Sequence, residues 1–124
     1  MMSPPRDAAA PAHPVVDLDD KLRRLRDSAS YRPGAGAVEA VETHMSWVFL
    51  VGDLAYKLKK PVRFAFLDFS TLAAREADCR AELRLNRRLA PDVYLRLATL
   101  NASPDGGLAL DGAGAIVDWL VVMR

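Results

Sequence analysis

Residues 47–58 read Trp47-Val48-Phe49-Leu50-Val51-Gly52-Asp53-Leu54-Ala55-Tyr56-Lys57-Leu58, two apolar arms around a Gly-Asp pair. A two-residue connection with glycine first is the pattern of a type II′ hairpin, whose twist matches that of its strands. With 52–53 as the turn, Val51 stands opposite Leu54, Leu50 opposite Ala55, and Val48 opposite Lys57. Cross-strand partners point the same way, and side chains alternate with a period of two. One face therefore carries Val48, Leu50, Ala55 and Lys57, and the other Phe49, Val51, Leu54, Tyr56 and Leu58. The second face is the better core. The first is a mildly apolar platform with a lysine at its edge, suited to a planar base with phosphates beside it. On this pattern alone, an exposed lysine on a half-wet sheet is the plainer reading. Because residues 47–51 are apolar throughout, that arm is expected to be covered on both faces.

Working outward, residues 38–45 alternate loosely and predict a preceding strand. Pro61 cannot donate to a ladder and ends the strand of Lys57. Ser70 is placed to cap a helix over 71–89, which Ala90-Pro91 closes because a residue before proline leaves helical dihedrals. Residues 93–100 are strand-like, 101–107 form a turn, and 108–110 begin a return that Gly112 and Gly114 interrupt. Residues 116–123 make a further apolar strand. The expected fold is α+β: an antiparallel five-stranded sheet with one major helix packed on it. Ahead of it, Leu18, Leu22 and Leu25 at helical spacing predict a short amphipathic helix over 17–28. Residues 1–15, rich in proline and alanine, read as a disordered tail. The expected organisation is a flexible N-terminal segment over 1–36 that carries the short helix, and a folded unit over 37–124.

Composition bounds the function. The chain has 124 residues and a net charge of +1, which gives no strong pull toward nucleic acid or anionic membrane. Cys79 is the single cysteine, so neither an intrachain disulfide nor a cysteine-based metal site forms, and a reducing cytoplasm is the expected setting. The beginning of the chain has no signal-peptide h-region. The apolar run 47–51 falls far short of the ~20 residues a membrane helix needs.

The helix supplies the second half of the chemistry. At ~100° per residue, Leu72, Ala74, Cys79, Ala81, Leu83, Leu85 and Leu89 fall on one broad arc, with Arg80, Arg84 and Arg87 outside it. Glu82 lies inside the apolar arc, with Asn86 one turn on and Arg75 nearly two turns back. A carboxylate turned inward is costly without a cation. Its partner is either a cation from the sheet, or locally Arg75, or Asn86 in an internal polar knot.

Leu54-Ala55-Tyr56-Lys57-Leu58 resembles the third strand of protein kinases, Val-Ala-Ile-Lys. The resemblance implies that Ala55 lines an adenine pocket and that Lys57 holds phosphates and pairs with a helix glutamate, matched here by Glu82. Leu120-Val121-Val122-Met123-Arg124 is similar to the fifth kinase strand, which puts Met123 at the back of the pocket and Arg124 at the start of the hinge. The closer similarity is to the bacterial aminoglycoside-phosphotransferase-like family, in an uncharacterised branch. It rests on Glu42-Thr43-His44-Met45-Ser46-Trp47-Val48-Phe49-Leu50, on Ala55 to Val62, on Phe66 to Leu72, and on Glu82 to Pro91. It runs from about residue 38 to the end.

The resemblance implies a kinase-like small lobe that binds ATP or GTP with Mg²⁺, catalytic positions Lys57 and Glu82, and nucleotide-binding positions Thr43, Ser46, Val48, Leu50, Ala55, Lys57 and Met123. The catalytic loop, the metal-binding Asp and the choice of phosphate acceptor would belong to a C-terminal lobe beyond Arg124. Members of the branch are often fused to a P-loop kinase-like domain. The isolated chain is expected to be inactive and, with its platform in water, to self-associate.

Two features depart from the pattern. Thr43-His44-Met45-Ser46 stands where protein kinases carry a glycine-rich loop, so the phosphate grip falls to backbone N–H groups and the Thr43 or Ser46 hydroxyls; His44 is read as an ordinary turn histidine. Lys59 shares the face of Lys57 and competes with it, although it lies nearer the end of the strand, while Lys60 points the other way. The rival reading is a non-catalytic protein-interaction or nucleic-acid-binding module that uses Arg75, Arg80, Arg84, Arg87 and Arg88, although the balanced net charge argues against nucleic acid.

Overall fold

The computed structural model describes residues 16–63 and 67–124. The tail expected over 1–15 lies outside the described residues. Among the described residues, two α-helices and six strands follow in order: α1 (Leu18–Arg26), β1 (Val38–Glu42), β2 (Ser46–Val51), β3 (Leu54–Lys59), α2 (Leu72–Arg87), β4 (Tyr94–Ala102), β5 (Leu108–Leu110) and β6 (Ala115–Met123), with one 3-10 turn at Ser28–Ser30 after α1. They form one antiparallel sheet in the order β1-β2-β3-β6-β4-β5. The α+β class is therefore as expected.

The sheet has six strands rather than five. The added strand, β5, pairs Leu110, Ala109 and Leu108 with Leu100, Asn101 and Ala102 of β4. Its glycines do not interrupt it; they shape the link to β6. Asp111 turns the chain with a positive φ of 53°. Gly114 lies so close to the Ala102 carbonyl oxygen that a Cβ there would sit 2.0 Å away. The first strand also ends earlier than expected, at Glu42, because residues 43–46 close the β1–β2 hairpin. The Thr43 N–H donates to the Ser46 carbonyl at 2.8 Å.

The β2–β3 hairpin has the register its sequence implies. Val51 pairs with Leu54, Leu50 with Ala55, and Val48 with Lys57. Gly52 takes a φ of +60° while Asp53 keeps a negative one, as a type II′ turn requires.

Phe49, Val51, Tyr56 and Leu58 are buried, and they meet Leu22 and Leu25 of α1 together with Leu100, Leu120 and Val122. Complete burial of a leucine such as Leu25 is worth about 1.5–3 kcal/mol. The short helix thus contributes to the core, and the expected division at residue 36 does not separate it from the sheet. Tyr31 joins the same layer: its hydroxyl donates to the Leu25 carbonyl at 2.6 Å, and its ring lies 5.0 Å from that of Tyr56. Burial first, and then the neighbouring Tyr56, raise its pKa above the ordinary tyrosine value.

The other face of β2 is not covered. Val48 is half-buried and Leu50 is 37% exposed. The strand closed on both faces is instead β6, whose Leu120, Val121 and Val122 are all buried. It lies in the middle of the sheet, between β3 and β4, whereas β2 is covered by an element only on the α1 side.

Helix α2 begins at Leu72 and its N-cap is Thr71, whose Oγ1 accepts from the Ala74 N–H at 3.1 Å. Ser70, the expected cap, is instead tied to Asp68, which accepts from the Ser70 N–H at 2.9 Å. The helix stops at Arg87 rather than Leu89, and Asn86 accepts backbone bonds from Leu89 and Ala90. Its buried residues are Arg75 and Cys79. Leu85 and Leu89, expected on the buried arc, are 53% and 88% exposed. The helix therefore presents its polar stripe to the sheet, because ion pairs there satisfy groups that an apolar contact would strand.

Candidate functional site

The register across five strands lays out one face in two rows. Val41, Val48, Lys57, Val121 and Leu97 form one row, and Glu39, Leu50, Ala55, Met123 and Tyr94 the next. Helix α2 packs over the β6–β4 half, where Arg80 lies 4.9 Å from the Trp119 ring. On the β1–β3 half, Val41 and Leu50 are exposed, and Val48 and Ala55 are half-buried. Lys57 stands at the boundary between the covered and open halves.

There the inward carboxylate of Glu82 finds its cations. Lys57 Nζ donates to Glu82 Oε2 at 3.2 Å. Lys59 Nζ donates to Glu82 Oε1 and also meets Asp78 Oδ2 at 2.8 Å. The local alternatives do not form: Arg75 binds elsewhere, and Asn86 Nδ2 donates to the Glu82 backbone carbonyl, at 2.8 Å. Lys57 and Lys59 do not compete; each takes one oxygen of the same carboxylate. Lys59 is the more enclosed, with 7% of its side chain exposed against 28% for Lys57. Burial alone would lower the Lys59 pKa, but its hydrogen bonds to Asp78 and Glu82 outweigh that and hold it above the ordinary lysine value. Lys59 is therefore locked into the fold, and Lys57, with one partner and more of its side chain in water, keeps the freer ammonium.

Asp78 was missed by sequence reasoning. It lies four residues before Glu82 on the same helical side, and the inward phase that selected Glu82 selects it too.

Of the two hydroxyls expected to contact phosphate, that of Thr43 is engaged in the β1–β2 hairpin. Thr43 Oγ1 accepts from the Ser46 N–H at 3.0 Å and its hydroxyl donates to the Ser46 carbonyl at 3.1 Å. Ser46 is buried. This closes residues 43–46 into a tight loop and takes Ser46 out of reach of a ligand; the exposed Thr43 is bound within its own turn. The loop nevertheless lies at the Lys59 end of β3, since Ser46 pairs with Lys59 and the Lys60 N–H donates to the Met45 carbonyl at 2.8 Å.

Met123 falls beside Ala55 on the platform, and the Arg124 N–H donates to the Val93 carbonyl at 2.8 Å. Cys79, on the buried side of α2, is fully enclosed, and burial pushes its thiol up to about 12. A separate groove of about 580 Å³ lies between α1 and the β4–β5 turn, lined by residues including Arg24, Asp27, Ser103 and Leu108. The Lys57 face is open sheet rather than a cavity. Chemistry, not concavity, singles it out.

No family model and no solved structure matches the chain. Relatives are found in mycobacteria. The uncharacterized protein Rv2004c of Mycobacterium tuberculosis and the uncharacterized protein Mb2027c of Mycobacterium bovis are each 39% identical over 109 residues, which is 88% of this chain and 18% of the relative. The chain thus spans less than a fifth of the length of the curated relatives it matches.

Proposed function

We propose that this chain is the nucleotide-binding small lobe of a kinase-like, aminoglycoside-phosphotransferase-like small-molecule phosphotransferase. The observation that carries the proposal is the pairing of Lys57 on β3 with Glu82 on α2, at 3.2 Å, beside an open apolar platform. In phosphoryl transfer of this kind, a strand lysine paired with a helix glutamate positions nucleotide phosphates. Val48, Leu50, Ala55 and Met123 would take the flat face of the base. Lys57 would hold the phosphate oxygens, with Glu82 fixing its ammonium. Lys59, itself held by Asp78, braces Glu82 from the other side.

The residues present fit a nucleotide at the base and at one phosphate contact. With the Thr43 hydroxyl engaged in its own turn and Ser46 buried, backbone N–H groups are left for the rest of the grip. A Mg²⁺ ion bound with the nucleotide would neutralise phosphate charge. Among the described residues no group of three or more acidic, histidine or cysteine side chains comes together to hold it, so its ligands belong to the remainder of a longer protein under this proposal. The base that activates an acceptor belongs there as well. By itself this lobe binds and orients; it transfers nothing.

The test is titration of a non-hydrolysable ATP analogue, with and without Mg²⁺, into the full-length protein and its Lys57→Ala variant. Mg²⁺-dependent binding that weakens by at least tenfold in the variant supports the proposal. Equal affinity in both proteins sinks it. Salt-sensitive binding of a generic oligonucleotide, lost in Arg84→Ala and Arg87→Ala, would favour the interaction-module reading instead.

A further inference from the structure

Among the buried residues of β6 is one acid, Asp118, inside the apolar run 115–123. It is fully buried, and neither half of the Lys57–Glu82 pair touches it. Its Oδ2 accepts from Lys21 Nζ of α1 at 2.9 Å, and its Oδ1 accepts from Arg75 Nε of α2 at 2.9 Å. Lys21 and Arg75 are themselves 4% and 5% exposed. Arg75 Nη1 also donates to the Phe69 carbonyl at 2.9 Å, and the Trp119 N–H donates to Asp118 Oδ1 at 2.9 Å.

The two helices lie on opposite faces of the sheet. Helix α1 packs on Phe49, Tyr56 and Leu58, whereas α2 reaches Lys57 and Lys59 on the other side. An ordinary strand residue serves one face only. Asp118 serves both because pairing of β3 with β6 ends at Leu58–Leu120, leaving the edge of β6 beside Asp118 without a strand neighbour there. The register of β6 against β4 also slips between Asp118 and Ile116.

We infer that Asp118 is a positioning residue: a joint through the sheet by which α1 sets the placement of α2, and so of the Glu82 carboxylate on Lys57. The phase of α2 supports this. Arg75 and Glu82 are seven residues apart, close to two full turns, so they lie on one side of the helix. The helix is therefore pinned at two points of the same stripe, by Arg75 on Asp118 and by Glu82 on Lys57 and Lys59. Releasing the first pin lets the stripe rotate or lift at the second. Lys21 fixes the carboxylate so that it faces Arg75, and a buried carboxylate with a single cation is less well determined. The inference rests on the proposed role of Lys57 only for its significance; the mechanical coupling stands or falls separately.

The experiment reads Lys57 directly. Wild-type chain, Lys21→Met, Lys21→Arg, Asp118→Asn and Glu82→Gln are treated briefly with an amine-acylating reagent under native conditions, and modification of Lys57 is measured by mass spectrometry. Glu82→Gln sets the value for a released lysine. Asp118→Asn and Lys21→Met are expected to raise Lys57 acylation several-fold toward that value, and Lys21→Arg to restore protection. Far-UV circular dichroism establishes that each variant is folded. Lys21→Met keeps the apolar stem of the side chain and serves if Asp118→Asn does not fold. Unchanged Lys57 protection in a folded Lys21→Met protein overturns the inference. Raised acylation without any nucleotide binding by the wild type leaves the joint standing and removes the proposed function, so the two failures are distinct.

Discussion

The two faces of the sheet are held by different physics. On the α1 side, Phe49, Val51, Leu58, Leu25 and Leu120 exclude water almost completely, and the contact is worth what burial of apolar surface is worth. On the α2 side, Arg75, Asp78, Cys79 and Glu82 meet Asp118, Lys57 and Lys59, and the exposed Leu85 and Leu89 contribute little. An apolar contact is non-directional and tolerant of small shifts. A carboxylate shared by two ammonium groups has one good geometry. The first face keeps the domain folded, and the second keeps particular atoms in register.

By that contrast, truncating the apolar side does the most damage. Phe49→Ala is expected to cost about 3–5 kcal/mol, the range for large-to-small changes at fully buried positions. Urea denaturation would read the loss; a cost under about 1 kcal/mol would deny that this face dominates stability.

Glu82→Gln is expected to cost less, about 1–3 kcal/mol, because Lys59 keeps Asp78 as a partner while Lys57 is released. A loss equal to that of Phe49→Ala would mean the ionic face carries structure as well as register.

Alkaline pH sharpens the difference next. The buried Cys79 thiol titrates at about 12 in the fold against an ordinary 9.0, and Lys59 also holds its proton above its ordinary value of 10.5. In this window the folded chain binds more protons than the unfolded chain, so stability falls as pH rises. The contribution of Cys79 is complete below about 9 and is lost progressively toward about 12; that of Lys59 begins to fade above 10.5. Melting temperatures recorded from pH 8 upward should fall in the wild type and fall less in Cys79→Ala. Parallel curves would remove Cys79 as the cause.

Lys57→Ala should matter least to stability, within about 0–1 kcal/mol, since its ammonium is partly in water and its pair is screened. Under the proposed function its effect falls on nucleotide binding. A large stability loss would make Lys57 a structural residue and weaken the functional reading.

Much of the candidate site was legible in the sequence because it depended on short-range geometry. Gly52-Asp53 determined the hairpin register, the register placed Ala55 and Lys57 on one face, and helical phase turned Glu82 inward. Less legible were the partners that depend on how the helix is seated. Helical phase placed Leu85 and Leu89 with Cys79, but the actual buried stripe is rotated toward Arg75, Asp78 and Glu82. Asp118 offered a signal, a lone acid within an apolar strand, yet nothing local tells such an acid which cations it will meet. The hydroxyls of Thr43 and Ser46 were open to a ligand role by type alone; the closed hairpin bound the first to backbone partners and buried the residue that carries the second.

By itself, then, the chain sequence determined the class of fold, the β2–β3 hairpin, and the faces on which Lys57 and Glu82 lie, because each follows from a period of two or 3.6 residues and a two-residue turn. Tertiary structure alone decided that β5 is a sixth strand, that α1 belongs to the core, and that Lys59 shares Glu82 with Lys57. It also decided that Asp118 joins α1 to α2. These rest on residues distant in sequence, Lys21 and Asp118 being 97 positions apart. Such contacts form only when the sheet has brought the helices to its two faces.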